Sequence, residues 1–142
     1  MAAEAGRILA VDPGEARIGL AITDALGIGA QPLNPLVSGG AKRDAAAIAG
    51  LARQHGAVRV LVGMPLLLSG EEGEGAAASR KLVARLRGLL PGVEVLAWNE
   101  QLTTVEAEQL LAERGIRGEA LKRQIDGMAA VVLLQDYLGA SS

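Results

Sequence analysis

The sequence has no cysteine and a single histidine among its 142 residues. Without cysteine the chain can form no disulfide, no thiol nucleophile and no zinc site built on thiolates. This composition is typical of the reducing cytoplasm, which is where we expect the protein to act. His55, the one histidine, falls in a predicted helix, where a packing or surface role is the simplest interpretation.

Aromatic residues and long apolar runs are also scarce. Trp98 and Tyr137 are the only aromatic residues, whereas proteins that stack bases on aromatic rings carry more of them. The longest apolar stretch, Val58 to Leu68, contains Arg59 and Pro65 and is too short to span a bilayer. The N-terminal residues lack the apolar segment of a signal peptide. We therefore expect a soluble protein with no membrane segment.

Hydrophobic residues make up 50% of the chain and charged residues 21%, which is an ordinary globular composition. A chain of this length can bury a sizeable core. We therefore expect one domain over residues 1–142, with a structured core at about residues 7–138. Composition leaves the oligomeric state open between a monomer and a weak dimer.

The formal net charge of −2 argues mildly against a nucleic-acid partner, because nucleic-acid binding is largely electrostatic. The distribution of charge matters more than its sum, however. Two basic clusters could contact a phosphate backbone, or could equally be solvated helix faces. They are Arg80, Lys81, Arg85 and Arg87, and then Arg114, Arg117, Lys122 and Arg123.

The N-terminal part of the chain predicts a β-hairpin followed by a third strand. The apolar run Arg7 to Asp12 is stopped by Pro13-Gly14, and a residue before proline favours extended geometry, so Asp12 should end a strand. Arg17 to Asp24 is typical of a second strand, and the short link makes the pair antiparallel. A third strand is expected at Leu33 to Ser38.

The rest of the chain alternates helices and strands. Crossovers between parallel strands are right-handed, so the economical solution is an α/β fold with a mixed five-stranded sheet and helices on both faces. The expected elements are a helix at Lys42–His55, a strand at Val58–Gly63, a helix at Ala76–Leu90, a strand at Val93–Trp98, a helix from Thr103 or Thr104 to about Gly115, and a helix at Glu119–Leu138.

Three acidic residues stand out by their positions. Asp12 ends the first strand, Glu100 follows the fifth, and Asp126 lies beside the apolar stripe of the last helix. Each has a simpler explanation, as a turn residue, a helix cap and a partner for a neighbouring base respectively. Carboxylates gathered at one edge of the sheet would repel one another unless divalent cations neutralised them. Such ions suit phosphoryl displacement, because they stabilise both the attacking and the leaving oxygen.

Four motifs follow one another along the chain: Ala10-Val11-Asp12-Pro13-Gly14 with Arg17-Ile18-Gly19-Leu20-Ala21, then Val62-Gly63-Met64-Pro65, then Asn99-Glu100-Gln101-Leu102-Thr103-Thr104-Val105-Glu106-Ala107, then Ile125-Asp126-Gly127-Met128-Ala129-Ala130. In order and spacing they resemble the YqgF/RuvX family over about residues 7–138. The combination is specific, although an Asp-Pro-Gly turn alone would not be.

The resemblance implies an RNase H-like fold related to RuvC resolvases, with strand order 3-2-1-4-5. It also implies a catalytic metal site, for Mg²⁺ or Mn²⁺, at Asp12, Glu100 and Asp126. Members are described as candidate Holliday junction resolvases and as nucleases that mature the 5′ end of 16S ribosomal RNA. We therefore expect a nuclease, with RNA favoured over a DNA junction. Substrate contacts are expected from Arg17, Asn99, Gln101, Thr103, Thr104, Lys122 and Arg123.

The sequence departs from the family pattern at several positions. Asn99-Glu100-Gln101 replaces the usual Asp-Glu-Arg, Ala16 replaces a common Lys, and Leu67 and Ser69 replace Asn and Asp. Two other functions stay open. One is an actin- or Hsp70-like nucleotide phosphatase, against which the chain length argues because that architecture needs two lobes. The other is a non-catalytic RNA- or ribosome-associated module, which the changes at positions 99 and 101 favour.

Overall fold

The computed structural model describes residues 6–14, 16–26, 28–65, 73–99, 115 and 129–139. The expected helix from Thr103 or Thr104 to Gly115 and the first part of the helix Glu119–Leu138 lie outside these residues. The helices are α1 (Ala41–His55) and α2 (Glu74–Leu89), and the helical residues 129–139 are called α3. The strands are β1 (Arg7–Pro13), β2 (Arg17–Thr23), β3 (Ala30–Val37), β4 (Ala57–Met64) and β5 (Glu94–Asn99).

The strands form one mixed sheet in the order β3-β2-β1-β4-β5. β1 pairs antiparallel with β2, and β2 pairs antiparallel with β3. β4 pairs parallel with both β1 and β5, so α1 and α2 serve as the crossover helices. This arrangement confirms the predicted mixed sheet and its strand order. It also brings the carboxyl ends of β1, β4 and β5 to the same edge.

The bounds of β3 and α2 differ from the sequence prediction. β3 begins at Ala30 rather than at Leu33, although it contains Pro32 and Pro35. Proline is tolerated there because β3 is an edge strand, whose outer side needs no backbone donors. α2 begins two residues earlier than predicted, at Glu74.

The sheet separates two hydrophobic cores. The first lies against α1 and α2 and contains Val11 and Leu86. The second lies against α3 and contains Ala10 and Leu134. Because successive strand residues point to opposite faces, β1 supplies both cores, as a central strand should. Among the helices that the structure describes, none is both long and apolar enough to cross a membrane.

Helical periodicity in the sequence puts Leu82, Leu86 and Leu89 on one side of α2, and Leu121, Ile125, Met128 and Val132 on one side of the last helix. In α2, Leu86 is buried, whereas Leu89, the last residue of the helix, is 39% exposed. In α3, Val132 is half-buried, and the residues that enter the core include Ala130, Leu133, Leu134 and Tyr137. Leu121, Ile125 and Met128 lie outside the described residues, so the rest of that stripe stays a prediction.

Candidate active site

Asp12 lies at the edge of the sheet where β1, β4 and β5 end. The register aligns Val11 of β1 with Val62 of β4, and Val62 with Ala97 of β5. Asp12 is therefore one residue beyond a row that crosses the three parallel strands. In α/β sheets ligands bind in the crevice at the carboxyl ends of such strands.

The side chain of Asp12 is on the α3 side of the sheet. Val11 contributes to the core against α1 and α2 and Ala10 to the core against α3, so the alternation of β1 places Asp12 with Ala10. The neighbour of Asp12 on β2 is Gly19, and the next residue in register on β4 is Gly63. These glycines add no side-chain bulk beside the carboxylate. Asp12 is half-buried.

The turn after Asp12 accommodates only glycine at position 14. A Cβ atom on Gly14 would lie 2.5 Å from the carbonyl oxygen of Arg17, a backbone atom that cannot move without opening the turn. The N–H of Ser38 donates a 2.9 Å hydrogen bond to the carbonyl oxygen of Ala16, which ties β3 to the same turn. The tight turn into β2 and the hydrogen bond from the end of β3 therefore fix the position of the end of β1, where Asp12 lies.

Arg17, a predicted substrate contact, begins β2 on the same face as Asp12. Asp12 pairs with Gly19, and the alternation of β2 puts Arg17 on the same side as Gly19. Arg17 is half-buried, and one of its terminal nitrogens, Nη1, is buried. A guanidinium at this edge can hold an anionic group such as a phosphate.

Polar contacts fasten α3 to β4 and β5. Nε1 of Trp98 donates a 2.8 Å hydrogen bond to Oδ2 of Asp136. Nη1 of Arg59 donates to the hydroxyl of Tyr137, also at 2.8 Å. Arg59 forms an ion pair with Glu94 as well, so one guanidinium connects β4, β5 and α3.

The helix that follows Asp126 approaches the sheet closely, as the small residues after Asp126 predict. Ala129 and Ala130 are 1% and 0% exposed. Asp126 and Glu100 themselves lie outside the described residues, so the convergence of the three acids stays a prediction. Across the described ranges no three His, Cys, Asp or Glu side chains come together, and Asp12 is the one member of the predicted set found there.

The other predicted substrate contacts cannot be placed in the same way. Outside the described residues lie Gln101, Thr103, Thr104, Lys122, Arg123 and the side chain of Asn99. Arg87, from the first basic cluster, has a structural role: its Nε and Nη2 atoms donate to the carbonyl oxygen of Val95 at 3.1 and 2.9 Å. It joins α2 to β5 and is not a free phosphate contact.

Sequence reasoning missed a cavity of about 250 Å³ behind the β1–β2 turn. The cavity lies on the α1–α2 side of the sheet, opposite Asp12, and its lining includes Pro13, Leu82, Asp44 and Lys81. No local pattern could have revealed it, because it depends on how α1 and α2 pack together. The sequence feature that pointed to this region was the stretch of α2 without acidic residues, which contains Lys81.

The sequence matches the family model of RuvX, described as Holliday junction resolvase, over residues 6–140. A protein of Chloroflexus aggregans named "Putative pre-16S rRNA nuclease" is 43% identical over 94% of this chain and 93% of its own length. A protein of the same name from Symbiobacterium thermophilum is 40% identical over 94% of this chain and 92% of its own.

Two solved structures resemble the chain over nearly its whole length. RuvC of Thermus thermophilus, in complex with a Holliday junction substrate, has a TM-score of 0.58 at 19% identity and covers 96% of both chains. The Fowlpox virus resolvase, in complex with Holliday junction DNA, has a TM-score of 0.57 at 14% identity, over 95% of this chain and 98% of its own. Likeness at these identities concerns the fold, and it confirms the predicted RNase H-like architecture.

Proposed function

This chain belongs to the RuvX family, and from that membership we propose that it is a metal-dependent nuclease that hydrolyses phosphodiester bonds at the 5′ end of precursor 16S ribosomal RNA. The observation that carries the proposal is the position of Asp12, a half-buried carboxylate at the carboxyl end of the central strand. The names of relatives that are 38–43% identical favour RNA as the substrate. A single domain over residues 1–142 and a cytoplasmic location belong to the same proposal.

The metal belongs to this proposal, with Asp12, Glu100 and Asp126 as the residues that would hold Mg²⁺ or Mn²⁺. Three carboxylates supply the hard oxygen ligands that these ions prefer. The described part of the site is compatible with an ion, because the two residues directly beside Asp12 in its row, Gly19 and Gly63, have no side chain. When bound, the metal would supply Lewis acidity toward the oxygens of the reacting phosphate.

The chain's own residues position the substrate. Asp12 lies on a strand end that the tight turn at Gly14 holds rigid, and rigid elements preserve the geometry of a site better than loops. Arg17, on the same face, holds a phosphate oxygen, and Lys122 and Arg123 add charge for neighbouring phosphates. Candidate partners for the ribose 2′-hydroxyl are Asn99, Gln101, Thr103 and Thr104.

The test is cleavage of a labelled panel of single-stranded RNA, precursor 16S RNA, single-stranded DNA and four-way junctions, with Mg²⁺ or Mn²⁺. Asp12→Asn should lower the cleavage rate by about 10³-fold or more while the protein stays folded. Glu74→Gln is the matched control, since it neutralises an exposed acid in the first turn of α2. Activity of Asp12→Asn within a few-fold of the wild type would remove Asp12 from the mechanism.

The family description gives a second candidate, resolution of DNA junctions, and the same panel decides between them. Faster cleavage of the junction than of any RNA would make DNA the substrate. If the wild-type protein binds RNA but cuts no member of the panel with either metal, the chain is a non-catalytic RNA-binding module.

A further inference from the structure

Helices α1 and α2 form a strongly basic layer in a chain whose formal net charge is −2. They contain seven Lys and Arg residues and two acids, a formal charge of +5. Both acids, Asp44 and Glu74, are in first helical turns, so the rest of each helix carries only basic charge. The basic residues are Lys42, Arg43, Arg53, Arg80, Lys81, Arg85 and Arg87.

Two of these bases hold the layer together. Arg87 donates to the carbonyl oxygen of Val95, as described above. Nη2 of Arg53 in α1 donates a 2.7 Å hydrogen bond to the carbonyl oxygen of Leu89, the last residue of α2. These bonds fix α2 to its neighbours, so the spacing between the two helices is well defined.

Three other bases line the space between the helices. Lys81 lines the cavity of about 250 Å³ behind the β1–β2 turn, and Lys42 and Arg85 line a second cavity of about 310 Å³. All three side chains are exposed to solvent. The second cavity follows the first along successive turns of α2, and we call the two together the α1–α2 groove, lined by Lys42, Lys81 and Arg85.

One acid, Asp44, also lines the groove, but its carboxylate is already engaged. The hydroxyl of Ser38 donates to one oxygen at 2.7 Å, and the N–H of Gly39 donates to the other at 2.8 Å. Asp44 also lies in the first turn of α1, where the helix dipole favours a negative charge. The two donors and the positive end of the helix dipole therefore offset part of its negative charge at the groove.

We propose that the α1–α2 groove binds the sugar-phosphate backbone of single-stranded RNA beside the cleavage site. This inference rests on the proposed nuclease function and adds the path of its substrate. The groove ends at Pro13 and Gly14, and Asp12 precedes them on the other face of the sheet. A strand that leaves the groove over this turn arrives at the carboxylate edge.

The dimensions of the groove favour a single strand. Lys81 and Arg85 are one helical turn apart, about 6 Å along the axis, which is close to the spacing of successive phosphates in an extended strand. The groove is a furrow on the surface of two packed helices, whose axes lie about 8–10 Å apart, and a duplex is wider than such a furrow. The groove offers charge without aromatic rings, so it tracks the backbone and does not select bases.

The test is RNA binding in EDTA, which separates binding from cleavage. The anisotropy of a fluorescein-labelled single-stranded RNA is titrated with protein over a range of salt concentrations. Lys42→Gln/Lys81→Gln/Arg85→Gln should reduce the slope of log K against log[salt] by about 2, because each lost phosphate contact removes about 0.7. Affinity near physiological salt should fall by roughly 10- to 100-fold. A melting curve shows whether the variant is folded.

Two controls isolate the groove from general charge effects. Arg7→Gln removes one charge at the opposite end of β1 and should leave the slope unchanged, in contrast to Lys81→Gln. Lys81→Arg/Arg85→Lys preserves both charges and should retain wild-type affinity. In cleavage assays the triple substitution should raise KM for a long RNA far more than for a tetranucleotide, which is too short to occupy both the groove and the site.

The outcomes distinguish a failure of the groove alone from a failure of the nuclease. If the wild-type protein cleaves RNA with metal, but the triple variant binds RNA as tightly as the wild type, the proposal for the groove is overturned and the proposed nuclease function stands. A wild-type protein that neither binds nor cuts RNA overturns both. Poly-glutamate is the competitor that tests for an acidic protein partner. If it displaces the labelled RNA at an equal concentration of charge, and if the triple variant loses affinity for poly-glutamate as it does for RNA, the groove binds an acidic protein instead.

Discussion

Trp98 of β5 and Tyr137 of α3 pack edge to face, with ring centroids 5.0 Å apart and ring planes at 82°. They are the only aromatic residues in the chain, so its entire aromatic content serves one contact between the sheet and the last helix. Trp98 is two residues before Glu100, and α3 follows Asp126. The aromatic pair therefore braces the two chain segments that lead to the predicted metal ligands.

The first prediction concerns this brace. Tyr137→Phe keeps the ring but removes the hydroxyl that accepts a hydrogen bond from Arg59. It should lower the free energy of unfolding by about 1 kcal/mol, or the melting temperature by roughly 3–5 °C. Tyr137→Leu also removes the ring contact and should cost about 1 kcal/mol more. Equal stability of the two variants in thermal unfolding would show that the edge-to-face contact contributes nothing.

The second prediction concerns the buried hydroxyl that joins α2 to β4. Ser79 is 1% exposed, and its one hydroxyl proton is shared between the carbonyl oxygens of Gly63 and Gly75, which lie 2.9 and 3.1 Å from Oγ. Ser79→Ala should lower the free energy of unfolding by about 1–2 kcal/mol, since a buried acceptor loses its donor. Ala77→Ser, on the exposed side of the same helix, should change stability by only a few tenths of a kcal/mol. Denaturant titration of both variants measures the difference.

The third prediction concerns the turn beside Asp12. Gly14→Ala places a Cβ atom 2.5 Å from a backbone oxygen, so the turn must open. Stability should fall by about 1–3 kcal/mol, and cleavage should weaken because Asp12 moves with the turn. Gly50→Ala is the contrasting control, because nothing lies within 4 Å of its Cβ position in α1, and it should stabilise the protein by about 1 kcal/mol. A Gly14→Ala variant as stable and active as the wild type would contradict this account.

These contacts show which parts of the fold the sequence could predict. β4 could be predicted, because a buried parallel strand is a nearly continuous apolar run in the sequence. It was expected at Val58–Gly63 and is found at Ala57–Met64. β3 was predicted too short, because Pro32 suggests a strand break until the strand's position at the sheet edge is known. Local pattern identifies apolar runs but does not show which strands become edges.

Within the candidate site, the position of Asp12 could be predicted. Asp12 was recognisable because Pro13-Gly14 marks the end of its strand, and the structure places it at the shared edge of three parallel strands. Arg87 and Lys81 looked equivalent in the sequence, yet Arg87 binds a carbonyl of β5 while Lys81 lines a groove. The difference depends on which element passes beside each turn of α2, and helical spacing alone does not contain that information.

The fourth prediction concerns the metal. Mg²⁺ or Mn²⁺ should raise the melting temperature and EDTA should reverse the effect, because an ion that binds only the folded state stabilises it by mass action, by about 2.7 kcal/mol at 100 times Kd. The ion would also relieve repulsion among Asp12, Glu100 and Asp126. In the triple variant Asp12→Asn/Glu100→Gln/Asp126→Asn the metal dependence should vanish. A metal response that persists in this variant would place the ion elsewhere.

The last prediction concerns the substrate: single-stranded RNA should be cut faster than a four-way DNA junction. Junction resolution needs two symmetric cuts, hence two sites in a dimer with a broad basic surface for duplex arms. The basic surface found here is a groove between α1 and α2, with Lys42 and Arg85 in one cavity and Lys81 in the next. The one-turn spacing of its bases Lys81 and Arg85 suits successive phosphates of one strand, and the 2′-hydroxyl lets a protein distinguish RNA from DNA.

Initial rates on equal concentrations of labelled RNA and mobile junction, at several salt concentrations, provide the measurement. Sedimentation of the same samples reports the oligomeric state. RNA should be cut faster throughout, and the rate at subsaturating RNA should fall as salt rises, because phosphate contacts release counterions. The opposite result is paired, symmetric nicking of the junction at a higher rate than RNA cleavage, by a protein that sediments as a dimer. It would make the DNA junction the substrate, because a dimer has the two active sites that resolution needs and a monomer has one.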